Sequence, residues 1–271
     1  MTNWLSADVT FDGIRIHYYR TGGDKPPLIL NHGATDDGLC WTPTARALEA
    51  DYDVIMPDAR GHGLSDDTDG PANSEQRARD LAGFVRALGL TKPIVGGHSM
   101  GGSTTLYFAA LYPDVPSRII LEDPGLRSQT TDADRTAWTE RMAKMRENMN
   151  RMRAMTREQL IALCREQSPT WAEEELGPWA DAKLRVRPSM GFATPQPTSL
   201  TWQQALARVT CPALLVTSDV ALGGIVTPEA AAEARAIKPD LRVAHIAGAG
   251  HNIRRERFAE FLAAVRSFLA E

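Results

Sequence analysis

Residues Gly96-Gly97-His98-Ser99-Met100-Gly101-Gly102 constrain this chain more than any other stretch. An apolar β-branched run, Pro93-Ile94-Val95, leads into them, and a helix-like segment from Ser103 to Leu111 leaves them. Gly97 and Gly101 bracket Ser99 as G-x-S-x-G, in the strand–turn–helix setting which that pattern requires. Such a turn forces its central residue into a sparsely populated backbone conformation. The residues two before and two after must lack bulk, because neighbouring backbone passes close. The turn lifts the Ser99 hydroxyl clear of the sheet and points the Met100 N–H at a reacting carbonyl. A plain glycine-rich turn is the alternative for so short a match, and the flanking strand and helix weigh against it.

A chain of 271 residues can bury a large core as one α/β domain, with room for an inserted subdomain. Its net charge of −4 argues against a nucleic-acid or anionic-membrane surface. Arginines gather between Arg141 and Arg157, but Glu140, Glu147 and Glu158 interrupt them, which reads as a solvated helix face. The N-terminal residues carry neither a basic start nor an apolar run, so no signal peptide is expected. No stretch approaches the ~18 apolar residues that span a bilayer. Cys40, Cys164 and Cys211 are odd in number and widely spaced, which reads as reduced thiols in a cytoplasmic protein. No metal-ligand cluster and no dinucleotide fingerprint is visible.

The hydrophobic pattern alternates between strand and helix. Val9 to Phe11 and Ile14 to Tyr19 flank Asp12-Gly13, a strong hairpin signal. Leu28-Ile29-Leu30 reads as a strand buried on both faces. A helix around Trp41 to Leu48 and a strand from Tyr52 to Met56 follow. Leu81, Phe84, Val85 and Leu88 mark an amphipathic helix from Ser74. After the strand Arg118 to Leu121 the rhythm changes: no strand-like run appears between Gly125 and Ser199. Alternation resumes with a helix near Trp202, strands Ala213 to Thr217 and Leu241 to Ile246, and helices from Pro228 and Phe258. The expected class is α/β, a mostly parallel sheet with helices on both faces. Its core comprises residues 1–124 and 200–271, and residues 125–199 form a helical cap inserted after the sixth strand.

Four motifs at strand ends resemble the α/β-hydrolase superfamily in its own order, over nearly the whole chain. They are His32-Gly33, Asp58-Ala59-Arg60-Gly61-His62-Gly63-Leu64-Ser65, Gly97-His98-Ser99-Met100-Gly101-Gly102, and Gly248-Ala249-Gly250-His251. The resemblance, to serine carboxylesterase- and lipase-like members with a cap, implies an eight-stranded sheet and serine chemistry at Ser99. A serine hydroxyl is a poor nucleophile unless a base lies within reach and an acid orients that base. His251 alone of the six histidines follows the last strand on a glycine-rich loop, in the chain order of this fold. His98 is read as directed elsewhere, and His32, His62 and Asp58 as parts of structural turns. For the acid two candidates stand. The family often places it after the strand ending at Thr217, where an aligned pattern puts Ala221 and leaves Asp219 as the loop's carboxylate. Haloalkane dehalogenases and pancreatic-type lipases take theirs from the position that Asp123 resembles, 24 residues after Ser99. Asp123 is preferred and Asp219 is the alternative. The oxyanion hole is expected from the N–H groups of Met100 and Ala34. Thr35, Asp36 and Asp37 follow closely, and two readings stand for them: residues lining the pocket mouth, or a solvated aspartate-rich loop.

Trp138, Met142, Met145 and Phe192 are candidate pocket residues, since methionine adapts to irregular apolar shapes; cap packing is the competing account. The reading is a serine hydrolase that cleaves a carboxylic ester with an apolar acyl or alcohol part, without cofactor or metal. Its partner is a small-molecule ester, not nucleic acid or membrane, and a homodimer stays open. Lactone or thioester hydrolysis, C–C bond cleavage and perhydrolysis would use the same machinery. From another class, a hydrolase-like ligand receptor would keep the fold without the chemistry. An aspartate nucleophile, as in dehalogenases and epoxide hydrolases, is disfavoured by Ser99.

Overall fold

The structure is a computed structural model that describes residues 4–67, 72–126, 132–187 and 198–271, with the side chains of 132–135, 137 and 138 left undescribed. Its elements run β1 (Leu5–Phe11), β2 (Ile14–Arg20), β3 (Pro27–Asn31), a short 3-10 turn (Gly38–Trp41), α1 (Thr42–Leu48), β4 (Asp53–Pro57) and α2 (Ser74–Ala87). Next come β5 (Ile94–His98), α3 (Met100–Leu111) and β6 (Arg118–Glu122). Three helices follow without an intervening strand among the described residues: α4 (Asp132–Arg153), α5 (Arg157–Gln167) and α6 (Glu173–Arg185). The chain closes with α7 (Trp202–Leu206), β7 (Ala213–Ser218), α8 (Pro228–Ile237), β8 (Arg242–Ile246), α9 (Ile253–Glu256) and α10 (Phe258–Leu269).

The strands form one eight-stranded sheet in the order β1-β2-β4-β3-β5-β6-β7-β8. The hairpin joining β1 and β2 turns on Asp12 (φ 47°) and Gly13 (φ 78°), both left-handed as a two-residue hairpin requires. β2 also runs antiparallel to β4, and every pairing beyond β4 is parallel. Side chains alternate across the sheet and feed two cores. Ile29, Val95, Ile119 and Leu121 face α2, α3 and α7 through Phe84, Leu106 and Trp202. Leu28, Leu30, Ile94 and Ile120 face the 3-10 turn, α1 and α10 through Trp41, Leu48, Phe261 and Phe268.

This topology places the site. From β3 the chain crosses to β4 on one side and then to β5 on the other. At such a switch point the loops leaving the carboxyl ends of the two central strands diverge and open a crevice. β3 delivers Asn31 to Ala34 there, and β5 delivers Ser99. The insertion α4–α6 has apolar clusters of its own, around Leu160, Cys164, Leu176 and Trp179 and around Met142, Met149 and Val186.

Candidate active site

Ser99 sits between β5 and α3 with φ 53° and ψ −111°, the strained conformation that the glycine spacing demands. A Cβ on Gly97 would lie 2.3 Å from the Gly101 carbonyl, and one on Gly101 would lie 2.1 Å from Asn31 O. Both contacts are with backbone, which cannot swing aside, so only glycine fits. The Ser99 N–H donates to Glu122 O at 2.9 Å, and Ser99 O accepts from Ser103 N at 2.9 Å, which pins the turn between β6 and α3. Met100 is the first residue of α3, where an N–H has no partner within the helix.

Across the crevice, His251 Nδ1 lies 2.7 Å from Asp123 Oδ2. Asp123 is fully buried with φ 40°, and its carboxylate also accepts the N–H groups of Ile225 and Val226 at 2.9 to 3.1 Å. Three donors on one carboxylate fix its plane. With Nδ1 donating to Asp123, the neutral ring of His251 carries its lone pair on Nε2. Asp219 is engaged elsewhere: Oδ1 meets His245 Nε2 at 3.0 Å and Oδ2 accepts Gly248 N at 2.7 Å. The structure therefore brings His251 to Asp123 and holds Asp219 at an exposed pair with His245.

His98, read as directed away from the nucleophile, is placed against His251. Its ring packs on His251 at 4.6 Å between centroids, and its Nε2 donates to His251 O at 2.9 Å. Burial holds His98 well below the usual histidine range, with the nearby His251 acting in the same direction, so it acts as a neutral prop. The local chain does not encode this contact, since a side chain beside a strained turn can face either way. His32 and His62 brace the loop after β3, as structural-turn residues do. His32 Nε2 accepts Ala59 N at 2.9 Å, and His62 Nε2 lies 3.1 Å from Ala34 O. Burial lowers them to about 3 and about 4. Asp58 is also internal, accepting Gly38 N and Leu64 N at 2.7 and 2.8 Å.

A family model for the alpha/beta hydrolase family matches residues 28–264. The chain belongs to that family. It is 31% identical over 268 residues to N-formylmaleamate deformylase from Pseudomonas putida, covering 97% of this chain and 96% of the relative. Among solved structures it is similar to E-2-(acetamidomethylene)succinate hydrolase, at TM-score 0.79, 21% identity and coverage of 99% and 100%. It is also similar to N-formylmaleamic acid deformylase from Pseudomonas putida S16, at TM-score 0.77, 25% identity and coverage of 97% and 100%.

The two aspartates after Ala34 have charged partners in the fold. Asp36 and Asp37 are not solvated. Asp36 is buried against Lys183, Arg254 and Arg255, and Asp37 is buried against Arg185 at 3.1 Å. Burial raises the Asp37 carboxyl despite Arg185, and burial together with Asp37 raises that of Asp58. Met142 and Met149 are buried on Val186 with Met145 and Met152 against them, so this stripe fills the insertion's own core. Phe192 and the side chain of Trp138 lie outside the described residues. Among the described residues no group of His, Cys, Asp or Glu is placed to hold a metal, and no helix is long and apolar enough to cross a membrane.

Proposed function

We propose that the chain is a serine hydrolase that cleaves an acyl bond through an acyl-enzyme on Ser99, with His251 as base, Asp123 as its orienting acid and the insertion as a cap. The observation that carries this is the 2.7 Å bond from His251 to a fully buried Asp123, across the crevice from a strained Ser99. His251 Nε2 takes the Ser99 proton as Oγ attacks the carbonyl carbon. The imidazolium so formed is stabilised by the Asp123 carboxylate. Met100 N–H, at the positive end of α3, and Ala34 N–H receive the developing oxyanion. His251 then protonates the leaving atom, and the sequence repeats with water as nucleophile to release the acid.

For the substrate, the near-full-length relative is named for N-formylmaleamate and a structural neighbour for 2-(acetamidomethylene)succinate, both N-acyl carboxylates. Among the described residues the methionine stripe packs inside the insertion, which takes it out of any long apolar acyl pocket. The preferred substrate is therefore a small N-formyl or N-acetyl carboxylate, cleaved at its amide. A simple carboxylic ester is the second reading, because the same machinery accepts any acyl group with a better leaving atom.

The test is turnover of an N-formyl and an N-acetyl unsaturated diacid, beside p-nitrophenyl acetate and butyrate, by wild type and Ser99→Ala. The expected result is a kcat/KM for an N-acyl diacid above that for either ester, with all turnover lost in the variant. Ester turnover alone would leave the second reading, and unchanged rates in Ser99→Ala would overturn the mechanism.

A further inference from the structure

Behind the crevice lies a cluster that the proposed chemistry does not use. Asp36, Glu122, Glu175, Lys183, Arg254 and Arg255 are each at least 95% buried and contact one another. Asp36 is the hub: Oδ1 accepts from Lys183 Nζ at 2.9 Å and Oδ2 from Arg255 Nη1 at 3.1 Å, with Arg254 Nη2 at 3.6 Å. Arg255 Nε reaches Glu175 at 3.0 Å, and Arg254 donates to Glu122 through both its backbone N–H and its guanidinium, at 2.9 and 3.2 Å. Trp41, Trp171 and Trp179 each cover one cation, at 4.1 to 4.9 Å.

The members occupy telling places. Asp36 stands two residues beyond Ala34, Glu122 directly precedes Asp123, and Arg254 and Arg255 follow His251 by three and four residues. Glu175 and Lys183 lie on α6, and Lys183 also donates to Thr35 O at 2.7 Å. Thus every member is on α6 or within four residues of a group assigned to the chemistry. The cluster is poorly arranged for stability alone. Burying ions is expensive, and well-packed apolar residues often replace such clusters at no loss. Here Arg254 Nε and Nη2 and Arg255 Nη2 are buried without a hydrogen bond as well.

We infer that Asp36 is a positioning residue that holds the Ala34 loop, the His251 loop and α6 in one register. This rests on the assignment of Ser99, His251 and Ala34 above. Lys183 ties α6 to the Ala34 loop, and Arg255 carries the tie to the His251 loop and back to α6 through Glu175. The loops bearing one oxyanion donor and the base are thereby set against each other by directional bonds and not by contact alone. A displacement of about 1 Å in such a constellation lowers turnover on the order of 100-fold.

The experiment compares wild type, Asp36→Asn, Arg255→Lys and Asp36→Asn/Lys183→Met by three measurements. These are kcat and KM on p-nitrophenyl acetate, the rate at which an alkyl fluorophosphonate labels Ser99, and the thermal midpoint. Asp36→Asn leaves one surplus buried cation, and the double variant removes it. The double variant is expected to regain much of the thermal midpoint while kcat and labelling stay about 100-fold low and KM moves less than about threefold. Arg255→Lys keeps the charge but loses the fork, and is expected to lose about tenfold in both rates. Rates that recover together with the midpoint, or wild-type rates in Arg255→Lys or the single variant, overturn the inference. Wild type that is not labelled at Ser99 overturns the functional reading instead, so the two failures are distinct.

Discussion

Replacing Asp123 by asparagine separates the two candidate carboxylates, and the structure sets the size of the effect. Oδ1 of Asp123 accepts Ile225 N and Val226 N, while Oδ2 accepts His251 Nδ1 and shares Ile225 N. An asparagine with its oxygen at the Oδ1 position keeps both backbone donors. Its NH2 then points at His251 Nδ1 and must donate. The opposite orientation would aim the NH2 at two N–H groups in a buried site, losing hydrogen bonds of about 1 kcal/mol each and adding desolvation. The first orientation wins, and it forces His251 to carry its proton on Nε2. Such a ring cannot take the Ser99 proton. A wrong tautomer in a Ser-His-Asp triad lowers kcat by about 10⁴, and each factor of ten is about 1.36 kcal/mol of barrier. The expectation for Asp123→Asn is thus a loss of about 10³ to 10⁴ in kcat, about 4 to 5.5 kcal/mol, with KM little changed. Asp219→Asn alters only the partly exposed pair with His245 and the bond from Gly248 N, and should stay within about threefold of wild type. Burst and steady-state turnover of p-nitrophenyl acetate measure both variants. A collapse in Asp219→Asn with near-normal Asp123→Asn would refute the reasoning outright.

Other expectations follow from the same packing. Gly101→Ala gains about 1 kcal/mol of helix propensity but drives a Cβ to 2.1 Å from Asn31 O, so a net destabilisation of about 1 to 3 kcal/mol is expected. Chemical denaturation with a fluorophosphonate labelling assay reads it, and an unchanged midpoint would contradict the close-approach argument. Asp58→Asn tests the buried carboxylates. Asp37 and Asp58 are raised in the folded chain, so they favour folding most below the unfolded carboxylate value, and that contribution is lost as pH rises through about 6 to about 7. Burial of His32, His62 and His98 works oppositely, with stability lost as pH falls through the unfolded histidine value. The readout is therefore the difference between wild type and Asp58→Asn in thermal midpoint at pH 5 and pH 8. The variant should gain on wild type as pH rises, and parallel curves would show that Asp58 ionises no differently on folding.

The sheet was legible because each of its causes is local. Asp12-Gly13 carries its own hairpin geometry, and Leu28-Ile29-Leu30 advertises burial on both faces. Gly97 and Gly101 stand where any side chain would strike backbone. Three or four neighbouring residues suffice to encode each of these features. Charge at the site is encoded differently. Asp36-Asp37 in a loop has the composition of a solvated turn, and nothing within ten residues names Arg185, Lys183, Arg254 or Arg255 as partners. Those partners come from α6 and α9, well over a hundred residues away. His98 is the same case at shorter range, since only the fold decides that its ring meets His251 and not solvent.

The choice between Asp123 and Asp219 shows why such ambiguities are physical. Each directly follows its strand, β6 or β7, and these strands are parallel neighbours, so both leave the same edge of the sheet, with Asp219 two residues further along the register. What separates them is the backbone after each strand. Asp123 turns through φ 40° and meets the N–H groups of Ile225 and Val226 arriving from the loop after β7. Asp219 continues extended, with φ −73° and ψ 117°, and is drawn to Gly248 N and His245 instead. The β7 loop thus supplies the donors that fix Asp123's carboxylate, while its own carboxylate ties down the strand before His251. Each loop completes the other, and the residue that lost the place beside His251 still serves to hold the His251 loop.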